Sequence, residues 1–188
     1  FHGGGESWFN RALHNGKHVL SHNRNDQRGL ILTGTAYIGI GRLEQAEQYL
    51  DQAMQVAADT ASLRVAMGWL HAERGQSSSA TREFLLACDL TDGQAWEPHA
   101  LAVETLWREA RQQHHERVTL AACRRHAIEA LRHNLPDTWR ASLQYRMALA
   151  NLHLGRLTDA ERQLKRLTED RRYKTQALYY CGLAFLQN

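Results

Sequence analysis

The sequence has little of what disulfide-rich, proline-rich or membrane-spanning proteins need. Of its 188 residues, two are proline and three are cysteine. The cysteines at 88, 123 and 181 are far apart and show no CxxC spacing, so the pattern predicts neither a disulfide framework nor a zinc knuckle. No apolar run approaches the roughly 18 to 20 residues that cross a bilayer, so we expect no insertion into a membrane.

Charge of one sign is also scarce. The formal net charge of +3 is too small to indicate nucleic acid as a partner. No paired carboxylates, Ser-His-Asp triad or phosphate-binding loop stands out, which predicts that the protein is not an enzyme and needs no cofactor. The His114-His115-Glu116 triplet lacks the HxxxH spacing of two ligands on one helical face. His126 and His133 do share a face, but we predict no metal site.

Targeting is not readable from the start of this sequence. The chain starts FHGGGE, without Met and without a basic-then-apolar leader, which is the pattern of a fragment of a larger protein. The unpaired cysteines make a reducing compartment the default, so we expect the cytoplasm. The periplasm stays open as an alternative because the N-terminus looks truncated.

An internal repeat is the main positive feature of the sequence. The set Gly34, Tyr37, Gly41, Ala46, Leu50 and Ala53 recurs in register as Gly68, His71, Gly75, Ala80, Phe84 and Ala87, so the period is 68 − 34 = 34. Near the C-terminus, the segment from Gly155 echoes the segment from Gly41, and Ala148 stands one period before Gly182. One intervening repeat carries 12 extra residues, because 155 − 41 = 114 = 34 + 34 + 46. Internal periodicity of this length is typical of stacked helical repeats.

Small residues at fixed steps indicate how these helices pack. Gly34 and Gly68 fall on the first helix of each pair, where the lack of a side chain lets a second helix approach closely. Gly41, Gly75 and Gly155 fall just after a helix, where a left-handed glycine ends it. We therefore interpret the glycines as spacers and stop signals.

The pattern predicts an all-α chain of about ten helices in antiparallel pairs. The predicted helices are 6–21, 27–40, 43–57, 61–74, 77–90, 96–113, 116–134, 138–154, 158–170 and 173–187. They group into a half repeat at 6–25, repeats at 27–60, 61–94, 95–136 and 137–171, and a half repeat at 172–188. We treat 1–188 as a single array, in which the terminal half repeats offer one route to a homo-oligomer.

These residues resemble the tetratricopeptide repeat (TPR) family, which places a small residue, an aromatic, a turn glycine, alanine, a large apolar residue and alanine at these steps. The copies are degenerate: the early Trp is Leu30 or Arg64, and the closing Pro is Ala58 or Asp92. The resemblance implies an α-solenoid wound as a right-handed superhelix. It also implies that positions 2, 5, 9 and 12 of each first helix line a concave groove.

The resemblance assigns an apolar and aromatic set of residues to that groove. The residues that we predict to contact a partner are Arg28, Ile31, Thr35, Val65, Trp69, His99, Val103, Tyr145, Leu149 and Tyr179. Such a surface favours an adaptor or scaffold that binds a peptide or amphipathic helix of another protein. One alternative is the effector-sensing domain of a bacterial transcriptional regulator, and another is a periplasmic scaffold for polysaccharide export or pilus assembly. A tightly wound array that buries these residues in its own core is the structural alternative.

The 46-residue repeat is the most individual part of the chain. Dividing its extra residues between two antiparallel helices lengthens each by about six residues, or roughly 9 Å, which predicts a protruding hairpin. Arginines that could contact an acidic partner are Arg108, Arg111, Arg117, Arg124 and Arg125. Because charged helical faces are usually only solvated, this contact is the less favoured reading of the hairpin.

Overall fold

The computed structural model describes residues 5–56, 58–92, 94–112 and 114–187, and within them every regular element is an α-helix. The helices are α1 (Gly5–His22), α2 (Gln27–Gly39), α3 (Leu43–Val56), α4 (Ala61–Glu73), α5 (Ser77–Leu90), α6 (Glu97–Gln112), α7 (Arg117–Leu131), α8 (Asp137–His153), α9 (Leu157–Leu167) and α10 (Lys174–Gln187). Each lies within three residues of its predicted position. The all-α prediction is confirmed.

The ten helices form two compact units, Phe1–Thr91 and Asp92–Asn188. The first contains α1 to α5 and the second contains α6 to α10. Within each unit, every helix packs against the one that follows it in sequence. The boundary between these units lies close to the predicted repeat boundary at 94, and the single array over 1–188 stays a prediction.

The first unit is built by large residues that fill the space left by glycines. A Cβ on Gly34 would lie 2.8 Å from Leu50 of α3, and a Cβ on Gly68 would overlap the ring of Phe84 of α5. Leu50 and Phe84 are almost completely buried. Both glycines thus meet a large side chain at the same separation along the sequence, as the spacer interpretation requires.

Glycines also let helix α1 pack closely against α2. A Cβ on Gly16 of α1 would overlap Thr33, and a Cβ on Gly39 of α2 would overlap the ring of Phe9. Thr33 is itself buried and turns its hydroxyl back to the carbonyl of Gly29, at 2.8 Å. The missing side chains let the two helix backbones come close, so α1 is a firmly packed member of the unit.

Three helices end in the same left-handed turn. Gly41, Gly75 and Gly155 have φ of +77°, +74° and +77°. In each case the N–H of the next residue donates to the carbonyl five residues earlier, as from Arg42 to Tyr37 at 2.9 Å. This pattern satisfies the last carbonyls of a helix and reverses the chain, and glycine adopts it without the Cβ penalty.

The second unit has a buried polar contact that joins three helices. Asn151 of α8 accepts a hydrogen bond from Arg124 Nε of α7 at 2.9 Å and donates to Gln163 Oε1 of α9 at 2.9 Å. The Asn151 side chain is buried, so these partners replace the water that it loses. Alanines and leucines fill the remainder, with Ala148, Leu164 and Ala177 in one cluster.

The predicted protruding hairpin is shorter than expected. Helices α6 and α7 have 16 and 15 residues, against 13 and 14 in α4 and α5. The helices therefore lengthen by three residues and one residue, not by about six each. Much of the remaining length lies in α8, which has 17 residues.

A membrane-spanning segment is not found among the described residues, since no helix there is both long and apolar enough to cross a bilayer.

Candidate functional site

The residues predicted to contact a partner in the first unit lie on the first helices of two neighbouring pairs, α2 and α4. We call this set the α2–α4 face; it comprises Arg28, Ile31, Thr35, Val65 and Trp69. Arg28 is exposed, whereas the isoleucine, threonine and valine are half-buried. Trp69 is 38% exposed and is the large apolar side chain that α4 presents to solvent. An indole in this position offers a broad apolar contact area together with one N–H donor.

Polar contacts near both ends of α4 fix the helix that carries Trp69. The side chain of Thr60 caps its first turn by accepting from Leu63 N. Arg64 bonds both Asp59, at 2.8 Å, and Glu83 of α5, at 2.8 Å. At the other end of α4, Arg74 forms an ion pair with Glu47 of α3 at 2.7 Å. The helix that carries Trp69 is therefore fixed to both of its neighbours, which favours binding without reordering.

A cavity of about 420 Å³ lies elsewhere in the first unit, between α1 and α2. Trp8, Arg11, Ala12 and Asn15 line it from α1, and Leu32 lines it from α2. Trp8 and Ala12 are spaced to share one helical face, but neither belongs to the predicted contact residues.

In the second unit, three of the predicted contact residues belong to the interior. His99 of α6 is 7% exposed, Val103 of α6 is fully buried and Leu149 of α8 is 4% exposed. Side chains that water does not reach cannot contact a partner without rearrangement. At these positions the structure follows the alternative in which the array buries its own first helices.

Tyr145 and Tyr179 differ in how their rings are packed and exposed. The ring of Tyr145 lies 4.8 Å from that of Tyr173 and 6.4 Å from that of Tyr180, between centroids. Burial in this cluster raises the pKa of Tyr145. Tyr179 is 62% exposed on α10. Of the two tyrosines, Tyr179 therefore offers the open surface and Tyr145 contributes mainly to packing.

A buried pair of histidines was not predicted. His99 Nδ1 of α6 lies 2.9 Å from His126 Nδ1 of α7, and both rings are buried. A hydrogen bond between these atoms requires one ring to donate and the other to accept, so two imidazolium ions could not form it. The antiparallel packing of α6 on α7 explains why the two histidines meet. Cys123 Sγ contacts the carbonyl of Val103, and each of these residues lies one turn from the histidine on its own helix.

A second histidine cluster lies where α6 turns into α7. The His115 ring stacks on His153 of α8 at 3.8 Å, and Trp107 of α6 flanks both rings. His114 and His115 have φ of +54° and +63°, which is the left-handed region that few non-glycine residues adopt. Burial, and then the charge of His115, lower the pKa of His153.

The arginines of the hairpin are only partly available. Arg108, Arg111, Arg117 and Arg125 are exposed. Arg124 is half-buried and donates to Asn151, so its role is to join α7 to α8. The exposed arginines remain a predicted contact for an acidic partner.

The thiols of the buried cysteines are harder to deprotonate than a free cysteine. Burial raises the pKa of Cys88 and of Cys123 to about 12. Both thiols are therefore protonated at neutral pH, and a protonated thiol is a poor nucleophile. Their packing role agrees with the small-residue positions that they occupy in the sequence.

Stability is expected to fall as the pH drops from 7 to 5. Because the pKa of His153 is lower in the folded chain than in the unfolded chain, the unfolded state takes up the proton first. The loss begins near the unfolded value of about 6.5 and stops once the pH is below the folded value. The measurement is the melting temperature at each pH for the protein and for His153→Gln. An equally steep pH dependence in His153→Gln would contradict this origin.

No protein-family model matches the chain, and no curated protein matches it. Solved structures do. One is YrrB, described as a TPR protein with an unusual peptide-binding site, with 14% identity and a TM-score of 0.65 over 93% of this chain and 84% of that one. Another is MamA, with 15% identity and a TM-score of 0.65 over 89% of this chain and 91% of that one.

A third similar structure is the C-terminal part of a TPR repeat-containing protein from Cytophaga hutchinsonii. It has 11% identity and a TM-score of 0.66, over 94% of this chain and 65% of that one. At such identities the similarity establishes the fold alone. The fold of this chain is that of the TPR proteins, as its internal repeat predicts.

Proposed function

We propose that this protein is a non-enzymatic interaction scaffold that binds a peptide or a helix of another protein on its α2–α4 face. The observation that carries the proposal is Trp69, an exposed indole on a helix that ion pairs fix to both neighbours. Tryptophan is enriched among the residues that dominate binding energy in interfaces. Ile31, Thr35 and Val65 supply half-buried surface on the same pair of helices.

The comparisons support this class of function in general terms. TPR proteins share the fold, and YrrB is described as having a peptide-binding site. The sequence alternatives, an effector-sensing domain of a regulator and a periplasmic scaffold, would use the same kind of surface. We propose the cytoplasm as the location, because Cys88, Cys123 and Cys181 are free thiols.

The proposal predicts a specific loss of binding in Trp69→Ala. Peptides selected from a random display library against the full chain serve as the probe, and their affinity is measured by fluorescence polarisation. Removal of an indole that anchors the peptide costs about 2 kcal/mol or more, or roughly a 30-fold rise in Kd. The melting temperature should change little, because the ring is partly solvated.

Leu86→Ala is the matched control. Leu86 has the same exposure as Trp69, 38%, but lies on α5, a second helix of a pair. Peptides that bind Trp69→Ala as tightly as the parent chain, or that lose affinity for Leu86→Ala instead, would refute the α2–α4 face as the binding surface.

A further inference from the structure

The cavity between α1 and α2 combines apolar walls with polar groups. Its volume of about 420 Å³ lies toward the lower end of the range for small-molecule sites. Trp8, Ala12 and Leu32 supply the apolar part of the lining, and Arg11 and Asn15 supply the polar part. An apolar lining with a few polar groups that fix the orientation is the usual composition of a small-ligand site.

Trp8 is held in a defined position although it is 55% exposed. Its ring meets the ring of Phe9 edge to face, with the two centroids 5.2 Å apart. Phe9 in turn occupies the space left by Gly39 of α2, where a Cβ would overlap its ring. The indole is therefore supported by packing against α2 and still presents surface to a ligand, and such a surface favours contact with a second aromatic ring.

The polar part of the lining is suited to a carboxylate. Arg11 and Asn15 stand four residues apart, so they are neighbours on one face of α1, and both are exposed. Arg11 forms no ion pair with any residue that the structure describes. The stretch 8–22 contains Arg11, Lys17 and three histidines but no aspartate or glutamate. The local charge is thus positive, and a guanidinium beside an amide provides several N–H donors for an anion.

Helical spacing sets the distance between the aromatic and the polar contacts. Trp8 lies three residues before Arg11 and seven before Asn15. The point midway between the two donors is therefore roughly 7.5 Å along the helix axis from Trp8, at 1.5 Å per residue. A planar ring that carries a carboxylate on a short linker of two or three carbons spans this length.

We propose that this cavity binds a small aromatic carboxylic acid, with its ring against Trp8 and Leu32 and its carboxylate on Arg11 and Asn15. The site shares no residue with the α2–α4 face and takes a different class of ligand, so it does not depend on the function proposed above. The complex should be weak, with a Kd on the order of 1 mM for a ligand of about a dozen non-hydrogen atoms.

Phenylbutyrate is the probe, and saturation-transfer NMR with the full chain measures its Kd. Phenylbutyramide has the same ring without the charge, and it should bind about 10-fold more weakly because charged hydrogen-bond partners bind more strongly. Arg11→Met should weaken the acid by about 10-fold and leave the amide nearly unchanged. Trp8→Leu should weaken both compounds, because both contain the ring.

Arg82→Met is the matched control, since Arg82 is exposed on α5 and does not line the cavity. This variant should bind phenylbutyrate like the parent chain. Trp69→Ala should do so as well, which keeps this site distinguishable from the α2–α4 face. Circular dichroism should show every variant folded, because the substituted side chains are all exposed.

Three results would overturn the proposal. The first is the absence of phenylbutyrate binding at millimolar concentration. The second is equal affinity for the acid and the amide, or normal binding of the acid by Arg11→Met. The third is a tripeptide ending in phenylalanine that binds this cavity clearly more tightly than phenylbutyrate, because the ligand would then be the end of a peptide chain.

Discussion

Replacing Phe84 with alanine is expected to lower the free energy of unfolding by about 3 to 5 kcal/mol. The ring is 1% exposed, and it fills the space left by Gly68 on the facing helix. The truncation loses the transfer free energy of the ring and leaves a cavity between α4 and α5. Chemical denaturation followed by circular dichroism measures the loss.

Adding a side chain at Gly68 on α4 tests the same contact. A Cβ added in Gly68→Ala would overlap the Phe84 ring, and overpacking of this kind costs about 1 to 3 kcal/mol. In the double variant with Phe84→Leu, the smaller side chain leaves room for the alanine, so the cost of Gly68→Ala should shrink. Strictly additive effects would contradict a direct contact between residues 68 and 84.

Gly182→Ala supplies the control for that pair. Its Cβ would have open space, and alanine is a better helix former than glycine by about 1 kcal/mol. This variant should be as stable as the parent chain or more stable. Destabilisation there would show that glycine is needed on α10 for a reason other than packing against a second helix.

Tyr145→Glu is expected to destabilise the second unit by about 2 to 3 kcal/mol. The substitution removes a ring that packs on Tyr173 and Tyr180 and puts a carboxylate against them. A charge in an apolar setting loses hydration that these rings do not replace. Tyr145→Phe keeps the ring and should retain most of the stability.

Tyr179→Glu is the matched control for Tyr145→Glu, because it makes the same substitution at an exposed tyrosine. Tyr179 is 62% exposed, so the same substitution there should change the free energy of unfolding by no more than about 0.5 kcal/mol. If Tyr145→Glu proved as harmless as Tyr179→Glu, Tyr145 would be a surface residue, and its predicted role in partner binding would regain support.

Much of the fold could be predicted from the sequence because the spacing of small residues is a local signal. Gly34 and Leu50, or Gly68 and Phe84, recur at the same separation, and a residue without a side chain on one helix requires a large one opposite. The turn glycines give an equally local signal, since Gly41, Gly75 and Gly155 themselves adopt the left-handed conformation that ends each helix. The helix positions followed from these two patterns.

The candidate surface was harder to predict, because helical spacing says which residues share a face but not what covers that face. Val103 and Leu149 occupy groove positions by spacing, yet both are buried. The same limit applies to Arg124, which bonds a buried amide, and to His99, which pairs with His126. Trp69 and Tyr179 share the spacing of the buried set and remain exposed.

The sequence by itself determined that this protein is a set of antiparallel helix pairs, because side-chain size recurs with a constant period and size alone decides how closely two helices approach. Only the tertiary structure decided which repeat positions stay exposed. Exposure depends on the helices that pack against a face, and these belong to distant parts of the chain. Tyr145 and Tyr179 stand at equivalent repeat positions, yet the first packs against Tyr173 and Tyr180, whereas the second remains exposed on α10.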